Sequence, residues 1–504
     1  MTRIELWRRR YLAIEPRTLG LFRVALGALL LLDLARRASE LSLWYTNAGL
    51  LPNHRLLWRP NTPYQVSYLY SLFTADQVRV AFALTAVINL CFLLGYRTRL
   101  MHVLSWFALL SMQTRATILA NGGDYVFCTL TLWSAFLPLG SRLSLDRWIA
   151  RTRDPEAPEP QPVVSLAALA LFLQLSVIYF FNAVHKTGVT WQEGSAVYYL
   201  LHQARVVTAF GIWVREHAPY ALLQALSYGA IAVEYSLPFL ILSPWFVWPR
   251  RLAIILIWSL HGGIALLSNL GVFSPTMMAF SLLLLSPSDW ELIQRRAPSS
   301  ARLRERLQPA ALWLAQRTPI WPARPPSKLL RGLRELTVLA LMLLAFSQLA
   351  EENPALRWLR HRRPSFVSGS ISYLRHNQGW GMFAPDAPRD DLWLVIDAQT
   401  ITGQHIDPLN QVGSIVADPS RRTIPERLGQ SSFFCDYSVR IPNEGILHDS
   451  LSDWIFQHHL RVKSFDERIV EFTAYVIEHD SHKPGQRGPT NVRSRAILSR
   501  TAER

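Results

Sequence analysis

An adjacent pair of ionisable residues, His185 and Lys186, ends a long apolar segment of this 504-residue chain. The pair lies in the stretch YFFNAVHKTGVTW, residues 179–191, and Trp191 closes that stretch. Ionisable side chains inside a membrane are costly and usually functional. A lysine in a dry apolar pocket has a lowered pKa, and such an amine can act as a general base near neutral pH. Lys186 is therefore a candidate catalytic base.

Other polar residues lie in or beside apolar segments and are predicted to surround one cavity in the outer half of the membrane. Asp124 follows the turn NGG, Glu234 lies in the middle of a segment nearer the midplane, and His261 precedes two glycines. Each is costly in lipid, so each should face the interior of a helix bundle. The candidate catalytic residues are Lys186 and Asp124, and the candidate substrate-binding residues are His185, Trp191, Glu234, His261 and Asn269.

Each candidate also has a structural alternative. Lys186 can extend its ammonium to the membrane interface, and Asp124 can cap a helix N-terminus. Glu234 can form a buried pair with an arginine, and the glycines beside His261 can allow close helix packing. His185 lies about 100° around the helix from Lys186, so the two side chains cannot serve one target without distortion.

The elements that must position these residues are predicted to be membrane-spanning helices. Half of the residues are hydrophobic, and charged residues make up 17%, below the roughly 25% usual for soluble proteins. A span needs about 20 mostly apolar residues. About nine segments meet this condition, some of them marginally: 18–35, 76–96, 100–119, 123–140, 163–184, 220–243, 246–267, 272–287 and 332–350.

The distribution of basic residues predicts the orientation of these spans. The net charge is +16, but most arginines lie in short segments between apolar blocks, which is typical of membrane topology signals and not of nucleic-acid binding. This bias predicts a cytoplasmic N-terminus and, after nine spans, an extracytoplasmic C-terminal part. The basic cluster ALRWLRHRRPS, 355–365, opposes this assignment.

The chain is predicted to divide into a transmembrane helical domain, 1–350, and a β-rich extracytoplasmic domain, 351–485. The first includes an Arg/Pro-rich cytoplasmic linker, 288–331, with one amphipathic helix. Alternating apolar residues in LWLVIDAQTITGQHID and RIVEFTAYVIEHD predict strands with one buried face. Residues 486–504 are expected to form a loose polar tail.

The three cysteines, Cys91, Cys128 and Cys435, lack the spacing of a metal site or a disulfide framework. No metal cofactor is therefore predicted. The overall expectation is a polytopic α-helical membrane protein with about nine transmembrane helices and a small C-terminal β-rich domain.

Several motifs resemble a known family in the same order along the chain. YFFNAVHKTGVTWQEGSAVYYLLH, LWYTNAGLLP, NGGDYV and QGWGMFAP are similar to segments of the vitamin K-dependent γ-carboxylases and their bacterial relatives, the horizontally transferred transmembrane (HTTM) family. Trp191, Glu193 and Gly194 match, and Lys186 matches the family's catalytic lysine. His185 replaces the first of two adjacent lysines, and Asp124 stands where the carboxylases have a histidine.

The resemblance implies a bacterial plasma-membrane enzyme that oxidises reduced vitamin K or another membrane quinol. Lys186 would take the proton, as in the family's epoxidase and carboxylase reaction. A protein substrate is possible, although this chain is much shorter than the carboxylases, which use a larger lumenal region to hold their substrate. The alternative is a non-catalytic membrane protein, a transporter or an assembly component, with a polar intramembrane binding site.

Overall fold

The structure is a computed structural model of the chain. It describes residues 3–57, 65–244, 247–296, 327–410, 431–486 and 491–502, together with a few single residues between 309 and 317. The described part is mostly helical, with a small sheet near the C-terminus. The amphipathic helix expected in the linker lies mostly outside the described residues.

Each of the nine predicted apolar segments contains a helix, but nine spans are not confirmed. Among the described residues, four helical segments are long and apolar enough to cross a membrane: Trp7–Ser39, Ala75–Leu94, Leu166–His185 and Val247–Leu267. The helices within the nine segments are α1 Pro16–Ser39, α2 Ala75–Leu94, α3 Thr98–Arg115, α4 Gly122–Ser134, α5 Leu166–His185, α6 Tyr220–Ile241, α7 Val247–Leu267, α8 Phe273–Ser281 and α9 Lys328–Glu352. With 13 and 9 residues, α4 and α8 are shorter than the about 20 that a span needs.

Shorter helices connect and flank these nine elements. Three of them, Val189–Gln192, Ala196–Leu201 and Ala209–His217, lead from the end of α5 to α6. The other short α-helices within the described residues are Arg3–Tyr11, Leu41–Trp44, Asn53–Leu57, Leu145–Arg153, Pro287–Arg296, Ser365–Tyr373, Ser432–Arg440, His448–Phe456 and His458–Val462.

Helix α5 is the central element of the bundle, and α7 lies at its periphery. In the most apolar window of α5, 72% of the residues are buried, against 17% in that of α7. Ser165 starts α5 by accepting a hydrogen bond from the Ala167 N–H. Such a cap satisfies one of the free donors at a helix N-terminus. Because α5 is buried among other helices, the residues at its C-terminal end contact neighbouring elements.

A glycine allows the closest approach in the first part of the bundle. A Cβ atom at Gly27 of α1 would lie 2.7 Å from the Leu93 Cα atom of α2. Real side chains do not pack at this distance, so only glycine lets the two backbones meet here. Phe22, Phe92 and Phe280 belong to the core that surrounds this contact.

The C-terminal part holds a four-stranded antiparallel sheet in the order β2-β1-β3-β4. The strands are β1 Asp390–Thr400, β2 His405–Ile406, β3 Ile469–Asp480 and β4 Val492–Thr501. The predicted strands correspond to β1, β2 and β3. The expectation of a loose tail was wrong for β4, because residues 492–501 pair along β3 with Leu498 buried against the core.

The C-terminal part is not purely β-structured, and it shares a core with the bundle. Between β2 and β3 lies helix α10, Ser432–Arg440, whose Phe434 and Tyr437 are fully buried. One apolar cluster contains Ile396 of the sheet, Tyr437 of α10 and Trp44 near the end of α1. The sheet and α10 therefore pack directly on one end of the helices.

Candidate functional site

Lys186 lies at the C-terminal end of α5, where the helix stops. Its backbone has left the helical conformation, with φ −79° and ψ 61°. Its Nζ atom is 2.6 Å from both carboxylate oxygens of Glu234 on α6. The two side chains are only 4% and 7% exposed, so the ion pair is almost entirely shielded from solvent. Snorkelling to an interface is therefore not the conformation adopted, and the partner of Glu234 is a lysine.

Further contacts hold both members of the ion pair. The Asn182 amide donates to Glu234 Oε1 at 2.8 Å, and its carbonyl oxygen accepts from the Met382 N–H at 2.8 Å. The Lys186 ammonium lies 4.3 Å from the centre of the Trp191 ring, within the range of a cation–π contact. Lys186 and Glu234 thus each have a further contact besides the ion pair.

The segment 380–387 folds back against the turn that follows Lys186. The Gly188 N–H donates to the Pro385 carbonyl at 2.9 Å, and the Trp191 indole donates to the Phe383 carbonyl at 2.8 Å. A Cβ atom at Gly188 would collide with the Asp386 carboxylate. The absence of a side chain at Gly188 leaves room for this carboxylate, which accepts hydrogen bonds from the Thr190 N–H and hydroxyl.

The ion pair lies on the wall of a cavity of about 610 Å³. Five of the seven predicted site residues line it: Lys186, Trp191, Glu234, His261 and Asn269. Apolar side chains make up most of the remaining lining. The expectation of one shared cavity thus agrees with the geometry for Lys186, Glu234, His261 and Asn269 but not for Asp124, and the chemical roles stay predictions.

His261 is held by a neighbour on α5. Its Nε2 atom lies 3.0 Å from the Tyr179 hydroxyl, and its ring packs edge-on against Phe273 at 5.1 Å. A Cβ atom at Gly262 or Gly263 would meet no heavy atom within 4 Å. Close helix packing is therefore not the reason for these two glycines.

Two predicted site residues are directed elsewhere. His185 Nδ1 lies 2.9 Å from the Trp380 carbonyl oxygen, as its position about 100° around the helix from Lys186 predicts. Asp124 pairs with Arg37 at 2.6 Å and accepts from the Asn121 N–H at 3.1 Å. With Asn121 as the cap of α4, this is a capping box. Neither side chain is part of the cavity lining, and the catalytic role of Asp124 remains a prediction.

The C-terminal part closes one end of the cavity. Asp436 and Arg440 of α10 both line it, and the Asn121 amide donates to Asp436 at 2.9 Å. Burial raises the pKa of Asp436 to about 6, although the Arg440 guanidinium opposes this shift. Polar groups from the sheet-containing part thus meet the N-terminus of α4 beside the cavity.

No metal centre is found among the described residues, where no group of three or more His, Cys, Asp or Glu could hold an ion. Cys91, Cys128 and Cys435 form no disulfide. The polar groups around the cavity include an amine, two carboxylates, two guanidinium groups, amides, an imidazole and a phenol. Such a set suits proton transfer and hydrogen bonding to an uncharged oxygen compound.

The sequence interpretation missed Tyr179 and Asn182. Both line the cavity, and they precede Lys186 by seven and four residues on one helix. That spacing places all three on one face of α5, so the signal was present in the sequence. The contribution of α10 carried no such signal, because it depends on how the C-terminal part packs on the bundle.

The comparison with protein families agrees with the motifs. A family model described as HTTM domain matches residues 11–290, which include α1 to α8 and the Lys186–Glu234 pair. No curated protein and no solved structure matches the chain.

Proposed function

Since this chain belongs to the HTTM domain family, we propose that it oxidises a lipid-soluble quinol, such as reduced vitamin K, with Lys186 as the base. Its apolar helices and the family match identify it as a membrane protein. One observation supports the reaction above all others. The Lys186–Glu234 pair lines a largely apolar cavity of about 610 Å³ at the end of the central helix.

In the proposed reaction, the neutral amine of Lys186 removes the proton from one quinol hydroxyl. Transfer of the resting ammonium proton to Glu234, whose carboxylate oxygens lie 2.6 Å from Nζ, generates this neutral amine. In a dry cavity the neutral amine and carboxylic acid avoid the desolvation cost of two charges. The quinolate then passes two electrons and its remaining hydroxyl proton to an acceptor such as dioxygen. The Lys186 ammonium returns the first proton to the reduced acceptor, which gives quinone and hydrogen peroxide and restores the neutral amine.

The surroundings of the pair suit an uncharged aromatic ligand. The Trp191 ring beside Nζ offers a flat apolar surface, and Phe273 and Met382 add further apolar walls. Exclusion of water strengthens the electrostatic interactions inside the site. His261 and Asn269 are the proposed hydrogen-bonding groups for the ligand.

The proposed location is a bacterial plasma membrane, with the N-terminus in the cytoplasm and the C-terminal part outside. The arginine-rich segments between apolar helices support this orientation. The Lys186 end of α5 then faces the outer half of the bilayer, where α10 covers the cavity. A protein substrate would approach from that outer side.

A second candidate function is non-catalytic. Lys186 already has a bidentate carboxylate partner, and buried ion pairs of this kind also occur in purely structural roles. In that case the protein would be a transporter or an assembly component, and the cavity would bind a solute without changing it.

Quinol oxidation by the purified protein in lipid vesicles separates the two functions. The wild type should consume reduced quinone, and Lys186→Ala should reduce the rate by at least about a hundredfold, as for loss of a general base. The matched control is Lys328→Ala, which removes an exposed lysine at the start of α9 and should keep full activity. A wild type that binds quinone without oxidising it would support the non-catalytic function.

A further inference from the structure

The cavity extends away from the ion pair along the space between α6 and α7. Leu226, Gly229 and Val233 of α6 line it, as do Leu260 and Gly263 of α7. A spacing of three or four residues places each set on one face of its helix. Two largely apolar helix faces therefore border the cavity on this side.

The cavity reaches the protein surface between these helices. Leu226 lines the cavity and yet is 41% exposed, and Gly229 is exposed as well. Only 17% of the residues in the most apolar window of α7 are buried, and α7 is long enough to cross a membrane. The opening is therefore directed towards the lipid.

Two glycines keep this opening clear. A Cβ atom at Gly229 or at Gly263 would meet no heavy atom within 4 Å. This differs from Gly27, whose Cβ would lie 2.7 Å from the Leu93 Cα atom. Gly229 and Gly263 thus border space that the described part of the protein does not fill.

We propose that the cleft between α6 and α7 is a lateral portal that holds the hydrocarbon tail of a membrane lipid whose polar head lies at Lys186 and Glu234. Continuity between the cleft and the ion pair in one cavity supports this occupant. A polar solute would leave its hydrogen-bonding groups unpaired against the apolar faces. A hydrocarbon chain in the cleft instead gains packing contacts with both helices. The inference deepens the proposed function by assigning a long apolar tail to the substrate.

Leucine substitutions test the portal without disturbing the packing. Gly229→Leu and Gly263→Leu place a side chain in the cleft, where space is available. The matched controls are Gly262→Leu and Gly332→Leu, because these glycines also have open space around them and neither lines the cavity. All four variants replace a helical glycine by a better helix former, so none should unfold the protein.

The readout is equilibrium binding of two ligands to the purified protein in detergent: a quinone with a decaprenyl tail and the same ring without a tail. A leucine in the cleft occupies the space of the tail and removes its packing contacts with both helices. We expect each cleft variant to bind the long-tailed quinone at least about tenfold more weakly. Binding of the tail-less ring, and binding of either ligand to the two controls, should stay unchanged.

Other results overturn the portal. Equal affinity of the wild type for the two quinones would contradict it. So would an equal loss of affinity for the long-tailed quinone in Gly262→Leu and Gly263→Leu. Failure of the portal is distinct from failure of the reaction. If binding depends on the tail but no quinol is oxidised, the proposed reaction is wrong and the portal stands. If quinol is oxidised but the cleft variants bind both ligands as the wild type does, the portal alone is wrong.

Discussion

At the scale of residues, the account depends on Lys186 and Glu234. Their side chains are almost fully buried, and each is the other's charged partner. Burying a charge is expensive unless it is paired and hydrogen-bonded. The same contact that stabilises the pair can transfer its proton, so stability and chemistry depend on the same two side chains.

Removal of one charge from this pair should destabilise the protein strongly. Glu234→Gln leaves the Lys186 ammonium without an anion, which typically costs about 3–5 kcal/mol. The double variant Lys186→Met with Glu234→Leu removes both charges and should unfold close to the wild-type temperature. Thermal unfolding in detergent measures both effects, with Glu193→Gln, an exposed acid after the same turn, as the control. A double variant as unstable as Glu234→Gln would contradict this energetic account.

Much of the candidate site could be predicted from residue types, because ionisable residues are rare within apolar helices. Lys186, Glu234, His261 and Asn269 were found in this way, and all four line one cavity. Asp124 met the same criterion, but its carboxylate pairs with Arg37 and joins a capping box. The sequence did not reveal that partner, because Arg37 lies 87 positions away along the chain.

At the scale of elements, α10 connects the C-terminal part to the cavity. Asp436 accepts a hydrogen bond from Asn121 at the start of α4, and Arg440 donates to the Ile118 carbonyl at 2.7 Å. Periodicity predicted the strands β1 and β3 well. It could not predict α10 as a cavity wall, because that arrangement follows from packing between distant parts of the chain.

The contact between α10 and α4 should depend on pH. Burial raises the pKa of Asp436 to about 6 from its ordinary value of 3.8, so the folded state binds this proton more tightly than the unfolded state. Stability should therefore fall as pH rises from about 4 to about 6, by roughly 3 kcal/mol from this group. Asp436→Asn should remove this part of the decrease, measured as the unfolding temperature against pH.

The control for this measurement is Asp466→Asn, an exposed position in the same part of the chain, which should retain the wild-type profile. If Asp436→Asn also retained the full decrease between pH 4 and 6, the proposed protonation of the α10 contact would be wrong.

At the scale of the whole molecule, the sequence predicted a helical membrane protein with a C-terminal sheet, and the structure has four candidate membrane-spanning helices among its described residues and the sheet. Composition and block length are sufficient for this, because long apolar segments have few other folds available. The number of spans was less predictable. Helices α4 and α8 are too short to cross alone, yet their segments are as apolar as those of longer helices, because they are buried within the bundle.

The orientation of the molecule is a separate prediction. Residues 351–485 should lie outside the cytoplasm, because the arginine bias of the loops places the N-terminus in the cytoplasm and the nine predicted spans, an odd number, follow it. A reporter that is active only in the cytoplasm should stay silent when fused after residue 440, and should be active when fused after residue 296. Activity at the first position would place α10 and the sheet on the cytoplasmic side.

The quinol-oxidation rate of Lys186→Arg tests the central claim most directly. Arginine keeps the positive charge and can pair with Glu234, but it cannot become a neutral base at working pH. The account predicts that this variant folds, with an unfolding temperature close to that of the wild type, and oxidises quinol at the background rate. A rate close to that of the wild type would contradict the account and leave Lys186 as the structural partner of Glu234.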